Sequence, residues 1–242
     1  MNELSLFAGH GGGILASQLL GWNVVCAVEL NRYARQVLQA RQDDGCLNPF
    51  PIWDDVATFD GKPWRGVVDC VSGGFPCVGI SPNRDNTIAG RVAGLQDAKS
   101  GLVSHQLRII REVEPAFARF ENHPNLTRRG LEYILQELAK MGFNAEWGTL
   151  SADSFGAPHE RKRLWLEATH PDRAQRQGGR LSGGAQAKHQ GFGGCVWWKT
   201  EPGIRRVDDG IPNRLDRLIG TGNAQVPIVA ASAWDLIHNG KS

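Results

Sequence analysis

Short apolar runs alternate with amphipathic segments along most of the chain, and this alternation indicates the fold. Segments such as 102–113 carry apolar residues three or four positions apart, which predicts helices. The apolar runs are short enough to be strands, and each is followed within two positions by glycine or a polar side chain; they end at Phe7, Val28, Val71 and Phe120. Strands that alternate with helices form a mostly parallel sheet with helices on both faces. The pattern therefore predicts an α/β fold.

The same periodicities give approximate bounds for the elements. The predicted helices are 14–20, 31–41, 102–113, 129–141 and 227–237, and the predicted strands are 4–7, 22–28, 51–56, 66–71, 116–120, 143–150 and 159–166. If 159–166 is extended, Arg161, Arg163 and Trp165 share one of its faces. Two arginines on one face suit a carboxylate, a phosphate or a base edge, but an exposed, charged edge strand has the same pattern.

The composition changes after Trp165. Residues 170–194 are rich in Gly, Gln and Ala, lack apolar periodicity and carry several arginines, which predicts a flexible basic insertion. Such a segment suits either a solvated linker or contacts with nucleic-acid phosphates. We therefore divide the chain into a main domain 1–169, a short basic, Gly-rich insertion 170–211, and a C-terminal segment 212–242 that returns to the main domain.

The overall composition narrows the class of protein. With 242 residues and 41% hydrophobic content, the chain can bury a full core. No stretch approaches the about 18 apolar residues of a membrane span, and the N-terminus lacks a secretory pattern, so we expect a cytoplasmic protein. The five cysteines are scattered without a C-x-x-C pair, which indicates neither disulfides nor a metal site. The net charge of +2 does not by itself indicate nucleic acid.

The N-terminal strand runs directly into the glycine-rich segment 8–13, which precedes a helix. Such a loop lets the backbone approach a ligand, and the helix N-terminus favours an anionic group. The dinucleotide fingerprint needs glycine at position 14, where this chain has Ile14, so NAD and FAD are disfavoured. Glu29 follows the second strand and suits either ribose hydroxyls or a helix start. Asp55 suits either an adenine amine or a solvated turn.

A second candidate site lies at the ends of two later strands. Pro76 fixes the backbone before Cys77, which then follows a predicted strand, although a lone cysteine is more often a core residue. The aperiodic segment 79–101 has the length of a lid or a binding loop. Glu121 follows the strand 116–120, where burial would keep it protonated as a general acid; otherwise it caps the next helix.

The order of these motifs resembles the DNA cytosine-5 methyltransferase family. The series comprises Phe7-Ala8-Gly9-His10-Gly11-Gly12, Glu29, Asp55-Val56, Gly74-Phe75-Pro76-Cys77, Gly94-Leu95-Gln96-Asp97, Glu121-Asn122, His159-Glu160-Arg161-Lys162-Arg163 and Gly222-Asn223-Ala224. The resemblance covers nearly the whole chain, and it implies the Rossmann-like fold of S-adenosylmethionine-dependent methyltransferases. The compact form resembles enzymes carried by phages or prophages, which implies a role in modifying DNA, either to protect it from restriction or to mark it.

The resemblance also implies the site residues. It assigns catalysis to Pro76, Cys77, Glu121, Asn122, Arg161 and Arg163. For S-adenosylmethionine it assigns Phe7, Gly9, His10, Gly12, Glu29, Leu30, Asp55, Val56, Leu102, Asn223 and Ala224. Double-stranded DNA is the implied partner, and the segment 79–101 and the basic insertion supply Ser81, Arg84, Arg91, Arg173, Arg176 and Arg180 as expected contacts. A membrane and a metal are not expected, and the oligomeric state stays open.

Three departures from the family pattern are visible. His123 stands where the family usually has valine, and His159 stands where it usually has glutamine. After Arg163, only a short Gly-rich, basic stretch replaces the target-recognition domain of most members. The target sequence, and whether a partner reads it, therefore stay open. An RNA methyltransferase of the same fold is the main alternative. A non-catalytic DNA-binding relative and a Rossmann oxidoreductase fit the motif series less well.

Overall fold

The computed structural model describes residues 1–76, 101–181 and 224–238, with side chains to residue 177 in the second of these ranges. The strands are β1 (Asn2–Leu6), β2 (Asn23–Val28), β3 (Ile52–Trp53), β4 (Cys70–Gly73), β5 (Phe117–Asn122), β6 (Asn144–Leu150) and β7 (Arg163–Thr169). The α-helices are α1 (Gly12–Leu19), α2 (Arg32–Asp43), α3 (Leu102–Val113), α4 (Leu126–Arg129), α5 (Leu131–Lys140), α6 (Pro171–Leu181) and α7 (Pro227–Ala233). Short 3-10 helices cover Lys62–Trp64 and Ala152–Phe155, and a π-helical turn covers Trp234–His238.

Within the described residues, the strands form one seven-stranded sheet in the order β3-β2-β1-β4-β5-β7-β6. Neighbouring strands from β3 to β5 are parallel, and β7 runs antiparallel to both β5 and β6. This mixed, mostly parallel sheet with helices on both faces confirms the predicted fold class. Because β7 is reversed, its first residue, Arg163, lies at the edge where β1, β4 and β5 end. Ligands of open α/β sheets bind at that edge.

Alternate residues of the central strands pack against different helices. Ala118 and Phe120 of β5 lie in the core that α3 and α5 cover, whereas Phe117 lies in a second core with Val229 and Trp234. Since alternate side chains of a strand point to opposite faces, the two cores lie on opposite sides of the sheet. The helix α7 packs against α1 on the second face. The C-terminal segment therefore lies next to the glycine-rich loop that precedes α1.

A buried ion pair ties α7 to the sheet. The Nε atom of Arg119 lies 2.9 Å from a carboxylate oxygen of Glu167, and their side chains are 7% and 1% exposed. The Nη2 atom of Arg119 donates to the carbonyl of Ala230 at 2.8 Å. The guanidinium also lies 5.2 Å from the ring centre of Trp22 and 5.5 Å from that of Trp234. One side chain thus joins β5, β7 and α7.

Three sequence-based expectations about local structure are wrong. The segment 170–194 is not irregular throughout, because Pro171–Leu181 is a helix that begins at proline, a favoured first helical residue. The run 66–71 contains a turn before β4, and its Val67 is 46% exposed. The predicted helix 227–237 ends at Ala233, after which the chain turns as a π-helix and leaves Leu236 56% exposed. Helix α3, in contrast, has the predicted bounds.

Candidate active site

The loop between β1 and α1 has an unusual backbone that brings it close to the end of β2. Phe7, Gly9 and Gly11 have φ angles of +53°, +54° and +89°, in the left-handed region that favours glycine. The amide of Gly9 donates to Glu29 Oε2 at 2.7 Å. The second carboxylate oxygen of Glu29 accepts from the amide of Asn31 at 2.8 Å. The structure therefore brings together two of the predicted cofactor residues, Gly9 and Glu29.

An arginine on α2 holds the chain just after Glu29. The Nη1 atom of Arg35 donates to the carbonyl of Glu29 at 3.0 Å and to that of Leu30 at 2.6 Å. The side chain of Leu30 remains 69% exposed beside the loop. An apolar side chain that a fixed backbone presents to solvent suits the flat face of a ligand ring.

The turn after β3 is held in a similar way from α3. Arg108 donates to the carbonyl of Val56 at 2.8 Å and to that of Phe59 at 2.9 Å, and it pairs with Glu112 at 2.9 Å. The carboxylate of Asp55 accepts from the amide of Ala57 at 2.8 Å. A carboxylate oxygen has two lone pairs, so this turn contact leaves Asp55 able to accept a second hydrogen bond. The turn thus has a fixed shape beside the end of β3.

Glu121 lies at the end of β5, buried between two basic side chains and an amide. Its Oε1 atom lies 3.0 Å from Arg163 Nε, and its Oε2 atom lies 3.5 Å from Gln225 Nε2. Burial raises the pKa of Glu121 above its usual range, and the positive charges of Arg163 and Arg161 oppose that rise. Arg161 in turn donates through Nη2 to the carbonyl of Ala224. A buried carboxyl with a raised pKa beside fixed positive charge is suited to hold and give up a proton.

Asn122 connects the end of β5 to the chain that precedes Cys77. Its side-chain amide donates to the carbonyl of Phe75 at 3.0 Å, and its Oδ1 atom accepts from the amide of His123 at 2.7 Å. Phe75 is buried, and Pro76 is exposed at the end of this described stretch. The backbone two residues before Cys77 is therefore held at the same edge of the sheet as Glu121.

A cleft lies between the glycine-rich loop, the end of β4 and the start of the last described segment. Its lining includes Gly9, His10, Gly12, Gly74 and Ala224. A Cβ atom on Gly12 would overlap the backbone carbonyl of Gln225, and one on Gly74 would lie 2.6 Å from Glu121 Oε2. Glycine is thus required at position 12 by the close backbone of Gln225, whereas a side chain at position 74 would displace the ends of the Glu121 and Gln225 side chains. The glycine-lined cleft, the Glu29 carboxylate and the exposed Leu30 side chain fit a nucleoside-containing ligand such as S-adenosylmethionine.

We expect the substitution Gly12→Ala to weaken cofactor binding. The added methyl group forces Gln225 and the glycine loop apart, a type of overpacking that costs about 1–3 kcal/mol. The dissociation constant for S-adenosylmethionine, measured by calorimetry, should rise about tenfold. Gly148→Ala is the matched control, because its Cβ would meet only Ile237, at an ordinary 3.6 Å. Equal affinity of Gly12→Ala and wild type would contradict the assigned position of the cofactor.

The structure does not bring all predicted DNA contacts to this edge. Arg173 lies in the first turn of α6, at the opposite end of the strands, where it donates to the carbonyl of Pro115 at 3.4 Å and lies 3.8 Å from a carboxylate oxygen of Glu114. Arg176 is exposed on the same helix, and its Nε atom donates to the carbonyl of Asp172 at 3.1 Å. Five predicted site residues lie outside the described part of the chain, and the Arg180 side chain is not described either; the five are Cys77, Ser81, Arg84, Arg91 and Asn223.

Two further predicted cofactor residues differ in exposure. Val56 is buried, and Leu102 is half-buried at the start of α3. Sequence reasoning missed Arg35, Arg108 and Gln225, which act on predicted residues through backbone or side-chain contacts. A single sequence shows no sign of such contacts for Arg108 and Gln225, which meet their partners across 52 and 104 positions. For Arg35, the one available sequence signal is its position on the helix that directly follows Glu29.

The described residues contain neither a membrane-spanning helix nor a cluster of metal ligands. No helix there is long and apolar enough to cross a membrane. No group of three or more histidine, cysteine, aspartate or glutamate side chains in the same ranges is arranged to hold a metal ion.

Comparison with known proteins decides the family. Residues 1–191 match the family model described as C-5 cytosine-specific DNA methylase. The chain belongs to this family. Type II methyltransferase M.CviJI of Paramecium bursaria Chlorella virus IL3A is 30% identical over 171 residues, which are 70% of this chain and 43% of the relative. Type II methyltransferase M.Eco47II of Escherichia coli is 30% identical over 180 residues, which are 71% of this chain and 40% of the relative.

Solved structures of methyltransferases share the fold. A putative DNA modification methyltransferase encoded within an Escherichia coli prophage superimposes with a TM-score of 0.54 at 21% identity, over 71% of this chain and 47% of that one. The Dnmt2 methyltransferase of S. pombe gives 0.53 at 20% identity, over 70% and 49%. The chain thus spans about half the length, or less, of these methylase relatives.

Proposed function

We propose that the chain transfers a methyl group to carbon 5 of cytosine in double-stranded DNA, through a covalent bond between Cys77 and carbon 6 of the base. The observation that carries this proposal is the buried Glu121 carboxyl, which is paired with Arg163 at 3.0 Å and lies beside the glycine-lined cleft. Family membership supports cytosine as the base, and relatives named as type II methyltransferases support DNA as the substrate.

Cytosine carbon 5 is too weak a nucleophile to take a methyl group directly. The Cys77 thiolate adds to carbon 6, and the electron pair of the C5–C6 double bond moves to form a C4–C5 double bond. The electron pair of the C4–N3 double bond moves to N3, which takes the proton of Glu121. Bound S-adenosylmethionine would supply an electrophilic methyl group to carbon 5, with S-adenosylhomocysteine as the leaving group. Once carbon 5 carries the methyl group, a water molecule takes the carbon-5 proton, the C5–C6 double bond forms again as the Cys77 thiolate leaves, and the N3 proton returns to Glu121. The bond between Cys77 and carbon 6 and the N3–H bond are therefore temporary, and only the new C–CH₃ bond remains in the product.

The described residues divide this work. Glu29 holds the ribose hydroxyls, Asp55 the adenine amine, and the glycine loop the amino-acid portion of the cofactor. Arg163 fixes the Glu121 carboxyl, and together with Arg161 it supplies positive charge for the base carbonyl and its phosphate. Asn122 holds the Phe75 carbonyl, so the chain before Cys77 stays in register with Glu121.

Two further parts of the proposal concern DNA. The target base has to leave the helical stack to reach Cys77, and the segment 79–101 closes over the flipped nucleotide. Modification that protects DNA from restriction in the cytoplasm of a bacterial or phage-infected cell is the proposed role, in line with viral and bacterial type II relatives. An RNA substrate is the competing proposal, because the same fold and the same cysteine chemistry serve either nucleic acid.

Covalent trapping tests the proposal. The protein is incubated with S-adenosylmethionine and DNA that contains 5-fluorocytosine, whose fluorine cannot leave as a cation, so the adduct with Cys77 persists under denaturing conditions. We expect an adduct with the wild type, none with Cys77→Ser, and an undiminished one with the control Cys46→Ser, which alters an exposed cysteine outside the cleft. An adduct with fluorinated RNA alone would transfer the activity to RNA. No adduct with either, or one that survives Cys77→Ser, would refute the mechanism.

A further inference from the structure

Gln225 lies between the start of α1 and Glu121. Its backbone carbonyl takes the place of a Cβ on Gly12, and its side-chain Oε1 atom lies 2.7 Å from where a Cβ on Gly13 would be. Its Nε2 atom lies 2.7 Å from the corresponding position on Gly74. One residue therefore packs against two glycines at the start of α1 and one glycine just after β4.

The far end of the same side chain reaches Glu121. Arg163 Nε faces the Oε1 atom of Glu121 at 3.0 Å, so the proton that this carboxyl exchanges is favoured on the other oxygen, Oε2. Gln225 Nε2 faces Oε2 at 3.5 Å. Within the described ranges, the amide of Gln225 is therefore a protein group in contact with the proton-carrying oxygen.

A carboxamide is suited to this position because it is both a donor and an acceptor. Its NH₂ group donates to an ionised Oε2, and after rotation its oxygen accepts from a protonated one. Apart from this amide, the groups of the described residues that act on the Glu121 carboxylate are the cations Arg163 and Arg161. The contact with Gln225 favours the ionised form and so opposes the effect of burial.

We propose that Gln225 is a positioning residue whose amide holds the Oε2 atom of Glu121 in its proton-donating orientation and ties that orientation to the cofactor loop. This inference rests on the proposed function, since it assigns Glu121 the role of proton donor. Backbone packing on Gly12 and side-chain contact with Glu121 are both needed for this role, and Gln225 has both. Binding of the cofactor against the glycine loop and proton transfer by Glu121 are thereby linked through one residue.

The substitution Gln225→Met tests the proposal, because methionine matches the length of glutamine but cannot donate to Oε2. We expect the kcat for methyl transfer to fall about tenfold, the value of one lost hydrogen bond to a charged group, while the KM for S-adenosylmethionine stays within about twofold. We also expect the alkaline limb of the kcat profile to move to higher pH. The loss of the donor from Gln225 removes a contact that favours ionised Glu121, so the carboxyl stays protonated to higher pH. Gln136→Met is the matched control, because Gln136 makes a 3.2 Å bond to Glu132 on the exposed face of α5.

A second readout separates this inference from the proposed function. The infrared carbonyl band of protonated Glu121, identified by its loss in Glu121→Gln, can be titrated in the protein without DNA. A band that persists to higher pH in Gln225→Met than in the wild type supports the contact even if no methyl transfer is found. An unshifted band and an unshifted kcat profile would overturn the proposal. A raised KM with unchanged kcat would overturn it too, because Gln225 would then only line the cofactor cleft.

Discussion

Replacing Glu121 with glutamine is expected to slow methyl transfer by about 10²–10⁴-fold, the usual contribution of a positioned general acid. Glutamine keeps the shape of the side chain but carries no proton that it can give to the base. Single-turnover rates with labelled S-adenosylmethionine measure the effect. Cofactor affinity should stay near that of the wild type, because Gly9 bonds to Glu29 and not to Glu121. Glu132→Gln, on the exposed face of α5, is the control with the same chemistry.

The pH dependence of the wild type follows from the same carboxyl. Burial raises the pKa of Glu121, so its protonated form persists to higher pH than that of an ordinary glutamate. Activity that needs this form is present below the raised pKa and is lost as the pH rises through it. A Glu121→Gln variant with wild-type rates would show that this carboxyl is only a structural partner of Arg163, and the proposed proton transfer would fail.

The second large effect is on stability and comes from the buried ion pair between Arg119 and Glu167. Replacing Arg119 with methionine is expected to lower the free energy of unfolding by about 3–5 kcal/mol, because Glu167 then remains buried without its cation. The change also removes the bond to the Ala230 carbonyl, which holds α7 to the sheet. Urea unfolding, followed by tryptophan fluorescence and circular dichroism, measures the loss.

Two further variants show whether the unpaired Glu167 charge causes the loss of stability. The double variant Arg119→Met, Glu167→Leu removes both charges and should recover most of the loss, since a well-packed apolar pair can replace a buried ion pair. Arg111→Met breaks an exposed pair with Glu137, and its effect should stay below about 1 kcal/mol. If the double variant is no more stable than Arg119→Met alone, the unpaired Glu167 charge is not the cause, and lost packing against Trp22 and Trp234 explains the effect.

The sequence alone predicted those parts of the site that follow directly from local pattern. A strand, a glycine-rich loop and a helix occur in order around Gly9, and Glu29 follows the next strand, so both were expected at one edge of the sheet. The buried position of Glu121 also follows from an apolar strand that ends there. Parallel strands end at the same side of a sheet, and this rule predicts that these residues lie close together.

Other parts could not be predicted because they depend on tertiary contacts. Gln225 meets Glu121 across 104 positions, and nothing near it in the sequence indicates a partner. The helix α6 was missed because Ala174 and Leu181 are its only apolar residues after the starting proline, although that proline was visible. Arg173 was expected near DNA on charge alone, whereas its contacts with Pro115 and Glu114 hold it at the opposite end of the strands.

The left-handed backbone at Phe7 sets a conflict between thermal robustness and activity. A non-glycine residue in this region costs on the order of 1 kcal/mol relative to an unstrained backbone. The strained residue here is Phe7, which directly precedes the glycine loop. Laboratory evolution for heat resistance should therefore favour replacements at this position that relax the strain. Such replacements change the entry of the loop that bonds to Glu29, so the more heat-resistant variants should bind their cofactor less well.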